Sequence, residues 1–283
     1  WCSAKDRPLV GVAVEDAARA QGQGEPLAVV GLACRFPGAP DADAFWRVLC
    51  GQEDLRREVP EERWDAKAWY DADPRAPGRM VTRQGYFLDG VSGFDPLFFG
   101  ISPREAAEMD PQQRLMLEVA WEALEDAGLP PSSLKGSRTG VFMGCIWHDY
   151  ADRHLRERAG VTLHSATGQS LNIVANRLSY VLGLKGPSLS VDTACSSSLV
   201  AMHLASQSLR SGESRLALVG GVNLMFSPEA NVLLSKFGGL APDGRSKAFA
   251  AGADGFGRGE GAGLVVLQPL SAALAAGARI YCV

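Results

Sequence analysis

The sequence has no long apolar segment. A membrane-spanning helix needs about 20 mostly apolar residues, and the longest comparable stretch, residues 216–226, is shorter and contains two glycines and an asparagine. The first residues also lack the basic, then apolar, then small-residue pattern of a secretory leader. The sequence therefore predicts neither a membrane span nor a secretory signal, and we expect a cytoplasmic protein.

Excess positive charge is also missing. The 283 residues include 28 Lys and Arg against 32 Asp and Glu, a formal net charge of −4. Nucleic-acid binding needs clustered positive charge, so a dominant nucleic-acid surface is disfavoured. Hydrophobic residues make up 46% and charged residues 21%, which is ordinary globular usage and disfavours disorder and coiled coils.

Paired cysteines and metal-binding motifs are absent. Six cysteines stand at positions 2, 34, 50, 145, 195 and 282, with no Cys-x-x-Cys spacing. The four histidines form no His-Glu-x-x-His motif. We therefore expect mostly free thiols in a reducing compartment and no metal site.

Apolar runs and helical periodicities alternate along the chain after residue 26. Predicted strands cover 27–32, 139–144, 188–191, 216–225 and 264–267, and predicted helices cover 41–50, 110–127, 170–182, 196–209 and 270–276. The stretch between them at 51–108 predicts a loop-rich excursion that packs down through its aromatic residues. The alternation indicates an α/β layered fold.

The two ends of the chain differ from this pattern. Residues 1–25 carry Gly, Gln, Ala and mixed charge, which predicts a linker, and residues 26–283 form the predicted domain. The chain opens with Trp1 and closes on an apolar, β-prone run. We therefore expect it to be cut from a longer reading frame.

The sharpest local feature is the segment 191–199, Val-Asp-Thr-Ala-Cys-Ser-Ser-Ser-Leu. An apolar strand arrives, the chain turns over small residues and a helix leaves, as in a nucleophile elbow. Cys195 then stands at a helix N-terminus, where free N–H groups and the macrodipole favour the thiolate, the reactive form of cysteine. We predict that Cys195 is a catalytic nucleophile and that its own N–H helps to bind an oxyanion.

A buried structural cysteine is the alternative interpretation of Cys195, because cysteine is among the most buried residue types. A cysteine nucleophile usually works with a histidine, and the chain offers His148, His154, His164 and His203. We expect His203 to point into the packing of its helix. The other three are expected in a polar loop region, as solvated or core histidines.

Alternate glycines run through residues 255–263. The spacing fails the Gly-x-Gly-x-x-Gly pattern, and a strand follows the glycines, whereas a nucleotide loop follows a strand and opens a helix. We therefore predict a structural role, in which a thin backbone lets strands and loops approach closely. Glu260, between two glycines, is predicted to be a buried hydrogen-bonding group, with a catalytic carboxylate as the alternative.

Residues 193–198, Thr-Ala-Cys-Ser-Ser-Ser, resemble the active-site signature of the β-ketoacyl synthases. The similarity extends over nearly all of residues 26–283, and its further motifs lie at 30–38, 99–106, 109–114, 186–188, 220–223, 240–245 and 258–261. The Cys-Arg-Phe-Pro-Gly and Asp-Pro-Gln-Gln-Arg segments resemble the ketosynthase domain of modular type I polyketide synthases more than a stand-alone fatty-acid enzyme.

The resemblance implies a thiolase-like αβαβα fold of two similar halves in a homodimer, here truncated to the first half plus the start of the second. It implies an acyltransferase in which Cys195 takes an acyl chain as a thioester. A malonyl-type extender on acyl carrier protein then loses carbon dioxide and attacks the acyl group in a decarboxylative Claisen condensation. No cofactor is bound directly, because the substrates are carried on the phosphopantetheine of acyl carrier protein. The implied partners are that carrier protein and the neighbouring synthase domains.

The sequence departs from the family pattern in several places. The family's two histidine motifs, His-Gly-Thr-Gly-Thr and Asn-x-Gly-His, do not occur, so the domain is expected to be incomplete at its C-terminal end. Ser246 and Ala250 stand where the family more often has a cysteine and an acidic residue. Cys195 replaces the glutamine of the decarboxylase-only variants and disfavours them. Two alternatives stay open, a non-catalytic truncated half-domain and a stand-alone fatty-acid β-ketoacyl synthase.

Overall fold

A five-stranded mixed sheet lies at the centre of this computed structural model, which describes residues 24–156 and 161–283. The strands are β1 (Leu27–Arg35), β2 (Arg57–Glu58), β3 (Gln84–Gly85), β4 (Thr139–Gly144), β5 (Ser188–Val191), β6 (Leu216–Asn223) and β7 (Gly261–Pro269). The short β2 and β3 form a separate antiparallel pair. The main sheet has the order β1-β7-β6-β4-β5, in which β6, β4 and β5 are parallel and β7 is antiparallel to both of its neighbours.

Helices connect most of these strands. They are α1 (Ala42–Gly51), α2 (Ala66–Trp69), α3 (Pro103–Glu108), α4 (Pro111–Asp126), α5 (Asp149–Arg156), α6 (Ser165–Gln169), α7 (Asn172–Leu182), α8 (Ser197–Arg210), α9 (Glu229–Lys236) and α10 (Leu270–Ala275). A 3₁₀ turn covers Pro131–Leu134. Within the described residues, no helix is both long and apolar enough to cross a membrane.

The predicted strands 139–144 and 188–191 are confirmed to the residue, and the other predicted elements differ by a few residues. Most of the predicted linker, residues 1–23, lies outside the described part of the chain.

The main sheet is covered by helices on both faces. Val141 and Met143 of β4 belong to the same core cluster as buried residues of α4 and α7, whereas Phe142 packs with α8. Successive side chains of a strand point to opposite faces. A strand that is buried on both faces has a continuous apolar sequence, and all six residues of β4 are buried. The predicted α/β layered architecture is confirmed.

Helix α8 packs on the sheet through small residues. The sequence predicts Leu199, Met202, Ala205 and Leu209 roughly on one face. Met202 packs against the cluster that contains Ala205 and Leu209, but Leu199 is 73% exposed, so the prediction is wrong for Leu199. The buried face consists of Ala201, Ala205 and Leu209, spaced four residues apart. Two residues turn an α-helix by about 200°. Leu199 therefore lies on the side opposite Ala201.

Helix α4 begins and ends as its sequence predicts. Asp110 is the N-cap, and its carboxylate oxygen accepts a hydrogen bond from the N–H of Gln112 at 2.8 Å, while Pro111 occupies the first helical position. Burial raises the pKa of Asp110 to about 6. Gly128 adopts a φ of 67° just beyond the C-terminus, a conformation that favours glycine.

The excursion between β1 and α4 is anchored by aromatic rings, as predicted. The Phe98 ring centroid lies 4.7 Å from that of Trp121 on α4 in an edge-to-face arrangement, and Phe99 stacks on Phe94 at 5.4 Å. Such pairs add about 0.5–1.5 kcal/mol beyond the area that they bury. They hold a long segment with little regular structure against the core.

The glycine run before β7 is structural, as predicted. A Cβ on Gly261 would lie 2.5 Å from the Phe36 ring, and one on Gly257 would overlap the carbonyl oxygen of Gly244. Ser246, at a position where the sequence departs from the family pattern, accepts a hydrogen bond from the N–H of Gly257 at 3.1 Å. The run therefore lets two loops lie backbone to backbone beside the start of β7.

Replacing Gly257 with alanine is expected to destabilise the domain by about 1–3 kcal/mol, because the new methyl group displaces the Gly244 backbone. Gly252→Ala is the matched control, since a Cβ on Gly252 meets nothing within 4 Å, and it should change stability by less than about 0.5 kcal/mol. Denaturant unfolding of the two variants measures both effects. Equal stabilities would contradict the close-approach explanation.

Candidate active site

The turn between β5 and α8 carries the predicted nucleophile. β5 ends at Val191, α8 begins at Ser197, and Cys195 immediately precedes the N-cap residue Ser196. The helix therefore starts one residue later than predicted, and Cys195 lies at its entrance. Cys195 is a free, exposed cysteine. The alternative that it is a buried structural cysteine is wrong.

Backbone strain marks this turn. Ala194 has a φ of 56°, in the left-handed region that few non-glycine residues adopt. This conformation costs about 1–2 kcal/mol for a residue with a Cβ. Such strain persists only where the surrounding structure enforces it. The turn is sharp because of this residue, and the sharp turn presents Cys195 at the surface.

Short side chains hold the turn with hydrogen bonds. The carboxylate of Asp192 accepts from the N–H of Ala194 at 3.0 Å. The Ser197 hydroxyl accepts from the N–H of Thr193 at 3.0 Å and donates to the carbonyl of Ala194 at 2.6 Å. The Ser196 hydroxyl lies 2.8 Å from the carbonyl oxygen of Thr193. The small polar residues of the motif therefore act on the backbone of the turn.

Two glycines form the support beneath the helix entrance. Gly144 ends β4 and pairs with Gly221 of β6. A Cβ on Gly144 would lie 2.7 Å from the backbone nitrogen of Ser198, and one on Gly221 would lie 3.1 Å from the Ser198 Cβ. The first turn of α8 therefore packs against the ends of two central strands.

The structure shows the surroundings of the candidate histidines. His203 is exposed, so the prediction that it points into the helix packing is wrong. It lies midway between Ala201 and Ala205, on the side of α8 away from the sheet. His154 lies within α5, not in a loop as predicted, and its Nε2 is 2.9 Å from a Glu108 carboxylate oxygen. Within 24–156 and 161–283, the structure joins no histidine to the Cys195 thiol by a hydrogen bond.

The other two histidines have different surroundings. His148, just before α5, is exposed, with its Nε2 3.6 Å from an Asp152 carboxylate oxygen. His164 is the N-cap residue of α6 and is half-buried. Neither is a core histidine.

The remaining cysteines of the described residues have different surroundings. Cys34 and Cys145 are buried, and Cys50 and Cys282 are exposed. Burial raises the pKa of Cys145 to about 12 and also raises that of Cys34, which keeps both as unreactive thiols. In the described part of the chain, no group of three or more His, Cys, Asp or Glu side chains is arranged to hold a metal ion.

Glu260 is a buried hydrogen-bonding group, as predicted. Its carboxylate accepts from the Arg63 guanidinium at 3.0 and 3.2 Å. It also accepts from the backbone N–H groups of Leu88 and Met225, both at 2.8 Å. Both charged side chains are almost fully buried. The carboxylate therefore joins three segments that are distant in sequence.

A neighbouring buried polar network was not predicted from the sequence. Arg258 donates a hydrogen bond to Asn231 at 2.5 Å and lies over the Trp147 ring, and burial lowers its pKa. Asp149 accepts from the N–H of Phe226 at 3.2 Å, and burial raises its pKa. No local motif signals these contacts, because each joins residues far apart in the chain.

Glu260→Gln is expected to lower the unfolding free energy by about 3–5 kcal/mol, because it leaves the buried Arg63 charge without a partner. Glu61→Gln, at an exposed glutamate on the same loop as Arg63, is the control and should change stability by less than about 0.5 kcal/mol. Chemical denaturation checks both values. A Glu260→Gln variant as stable as the control would show that the pair does not hold the segments together.

Comparison with known proteins gives one family. The family model described as "Beta-ketoacyl synthase, N-terminal domain" matches residues 24–273. The phenolphthiocerol synthesis polyketide synthase type I Pks15/1 of Mycobacterium bovis (strain ATCC BAA-935 / AF2122/97) is 54% identical over 261 residues, which are 92% of this chain and 12% of that protein. The polyketide synthase GfsB of Streptomyces halstedii is 51% identical over 266 residues, 93% of this chain and 5% of that protein.

Solved structures agree with the sequence relatives. The oxazolomycin ketosynthase domain OzmH KS7 of Streptomyces albus JA3453 superposes with a TM-score of 0.84 at 43% identity, covering 90% of this chain and 44% of that one. The ketosynthase from module 6 of the bacillaene synthase of Bacillus subtilis 168 gives a TM-score of 0.79 at 42% identity, with 90% and 42% covered. The chain thus spans less than half of these domains and less than a fifth of the curated relatives described above.

Proposed function

This chain belongs to the β-ketoacyl synthase family, as the N-terminal portion of a polyketide synthase ketosynthase domain with the predicted thiolase-like fold. From that premise, we propose that Cys195 is the acyl-accepting nucleophile of a condensing acyltransferase. The whole protein elongates a polyketide chain by decarboxylative Claisen condensation. The observation that carries the proposal is the exposed Cys195 on a strained turn at the entrance of α8.

The first half-reaction is transfer of the acyl chain to the protein. The Cys195 thiolate attacks the carbonyl carbon of an acyl thioester on the phosphopantetheine of acyl carrier protein. Negative charge develops on the carbonyl oxygen, and the N–H of Cys195 is proposed to donate a hydrogen bond to it. The carbon–sulfur bond to phosphopantetheine then breaks, the carrier thiol leaves and takes up a proton, and the acyl group remains on Cys195 as a thioester.

The second half-reaction forms the new carbon–carbon bond. A malonyl-type extender on acyl carrier protein loses carbon dioxide, and the electron pair of the broken bond forms a carbanion. The carbanion attacks the acyl-Cys195 carbonyl, the Cys195 thiolate leaves, and the carrier holds a β-ketoacyl product. The resemblance assigns decarboxylation to two histidines in motifs that this sequence does not contain, so the described residues supply the acylation step.

The proposed partners follow from this chemistry. Acyl carrier protein delivers both substrates, neighbouring synthase domains supply and receive them, and no cofactor is bound directly. The protein is expected in the cytoplasm. The polyketide synthase relatives disfavour a stand-alone fatty-acid enzyme.

The sheet edge supports the proposed homodimer. β5 is an edge strand, and β4 is its neighbour in the described residues. Leu189 of β5 is 45% exposed. An open edge offers unpaired backbone groups to another strand, and a second copy pairing through the same edge gives a closed twofold assembly.

Among the cysteines of this chain, acylation is expected at Cys195 alone when the full-length protein is incubated with an acyl thioester of N-acetylcysteamine. Cys195→Ala should reduce adduct formation by several orders of magnitude, because the nucleophile is removed. Cys50→Ala, at another exposed cysteine, should leave it unchanged. Peptide mass spectrometry locates the adduct.

Two outcomes of that experiment contradict the nucleophile assignment. One is labelling spread evenly over several cysteines, and the other is full labelling of the Cys195→Ala variant. Carbon dioxide release from malonyl carrier protein is measured in parallel. Acylation without any decarboxylation would favour the non-catalytic half-domain.

Leu189→Lys is expected to weaken the homodimer about tenfold or more, equivalent to about 1.4 kcal/mol, because it places a charge at the proposed strand pairing. Leu97→Lys changes an exposed leucine on the excursion and is the control. Sedimentation velocity over a concentration series measures both dissociation constants. An unchanged constant for Leu189→Lys would rule out pairing through β5.

A further inference from the structure

We infer that Ser197 is a positioning residue for the Cys195 nucleophile. Its hydroxyl holds Ala194 in the left-handed conformation that aims Cys195 at the acyl thioester. The inference rests on the proposed acylation of Cys195 and adds a residue whose role in that reaction is testable separately.

The Ser197 hydroxyl spans the turn on both sides of Ala194. It accepts from the N–H of Thr193 at 3.0 Å and donates to the carbonyl of Ala194 at 2.6 Å. The backbone N–H of Ser197 donates to the same carbonyl at 3.0 Å. The peptide unit that follows the strained residue and the peptide unit that precedes Thr193 are therefore both tied to the first residue of α8.

Burial distinguishes Ser197 from the other serines of the motif. Its relative exposure is 4%, whereas Ser196 and Ser198 are exposed. A buried hydroxyl is costly unless it is paired, and this one uses its single proton and a lone pair within the turn. The close packing of Gly144 against Ser198 keeps the start of α8 in place. Ser197 therefore links a fixed helix entrance to a strained turn.

Loss of the hydroxyl releases the turn without removing the thiol. The N–H of Thr193 then has no acceptor from Ser197, and Ala194 loses one of the contacts that hold it in the left-handed region that a Cβ disfavours. A change at Ala194 also moves the next residue, and with it both the Sγ atom and the N–H of Cys195. A displacement of about 1 Å from the reacting geometry costs about 100-fold in rate.

Ser197→Ala in the full-length protein tests this role. Single-turnover acylation by an acyl thioester of N-acetylcysteamine should fall about 10- to 100-fold in maximal rate, with the half-saturating concentration unchanged, because Ser197 acts on orientation and not on substrate binding. Ser197→Thr keeps a hydroxyl and should restore most of the rate. Ser206→Ala is the matched control, since that hydroxyl donates to the Met202 carbonyl on the same helix, and it should acylate like the wild type.

Thermal unfolding of each variant separates positioning from folding. The inference is supported if Ser197→Ala loses acylation while its unfolding midpoint stays close to that of Ser206→Ala. It is overturned if Ser197→Ala acylates at the wild-type rate, if Ser206→Ala loses as much, or if Ser197→Thr gives no rescue. Failure of the wild-type protein to acylate at Cys195 would instead remove the proposed function itself.

Discussion

The first turn of α8 lies against the backbone of two central strands, and the geometry of the candidate site depends on that contact. Gly144 and Gly221 leave no side chain between the strand ends and Ser198. Because the helix entrance is so close to the sheet, the chain leaving β5 has few residues in which to reverse direction. Ala194 adopts a left-handed conformation in this short reversal, and the Ser197 hydroxyl, fixed at the helix entrance, holds it there.

The buried Arg63–Glu260 ion pair fixes the relative positions of chain segments more than it adds to the folding stability of the domain. A buried ion pair contributes little net stability, although removing one partner is costly. The Glu260 carboxylate also accepts from the backbone N–H groups of Leu88 and Met225, which no strand ladder joins. With Arg63 it therefore fixes the relative positions of the excursion, the segment after β6 and the start of β7. The flanking glycines allow those backbones to come near enough for one carboxylate to reach them all.

Local features of the fold were predictable from the sequence, and long-range partners were not. The strands at Thr139–Gly144 and Ser188–Val191 follow from short runs bounded by turn residues. The N-cap of α4 follows from Asp110 and Pro111. In contrast, Arg63 is 197 residues from Glu260, and no periodicity connects them. The wrong prediction that His203 points into the helix packing has a similar cause. The helical period alone does not say which side of α8 faces the sheet, because that side is set by the packing of Ala201 and Ala205.

The candidate site also has a part that local sequence predicts and a part that it does not. The strand end, the strained turn and the Ser197 hydroxyl lie within residues 191–197, so the position of Cys195 is predictable from one stretch, whereas the glycines beneath the helix entrance, Gly144 and Gly221, are distant in sequence. Acylation needs an accessible nucleophilic thiol, and this stretch presents Cys195 as a free, exposed cysteine. Decarboxylation needs further groups that stabilise a second charge, and within the described residues no histidine is hydrogen-bonded to the Cys195 thiol. The presentation of Cys195 therefore depends on one short turn and on the strands beneath it, whereas complete condensation depends on how distant parts of a ketosynthase come together.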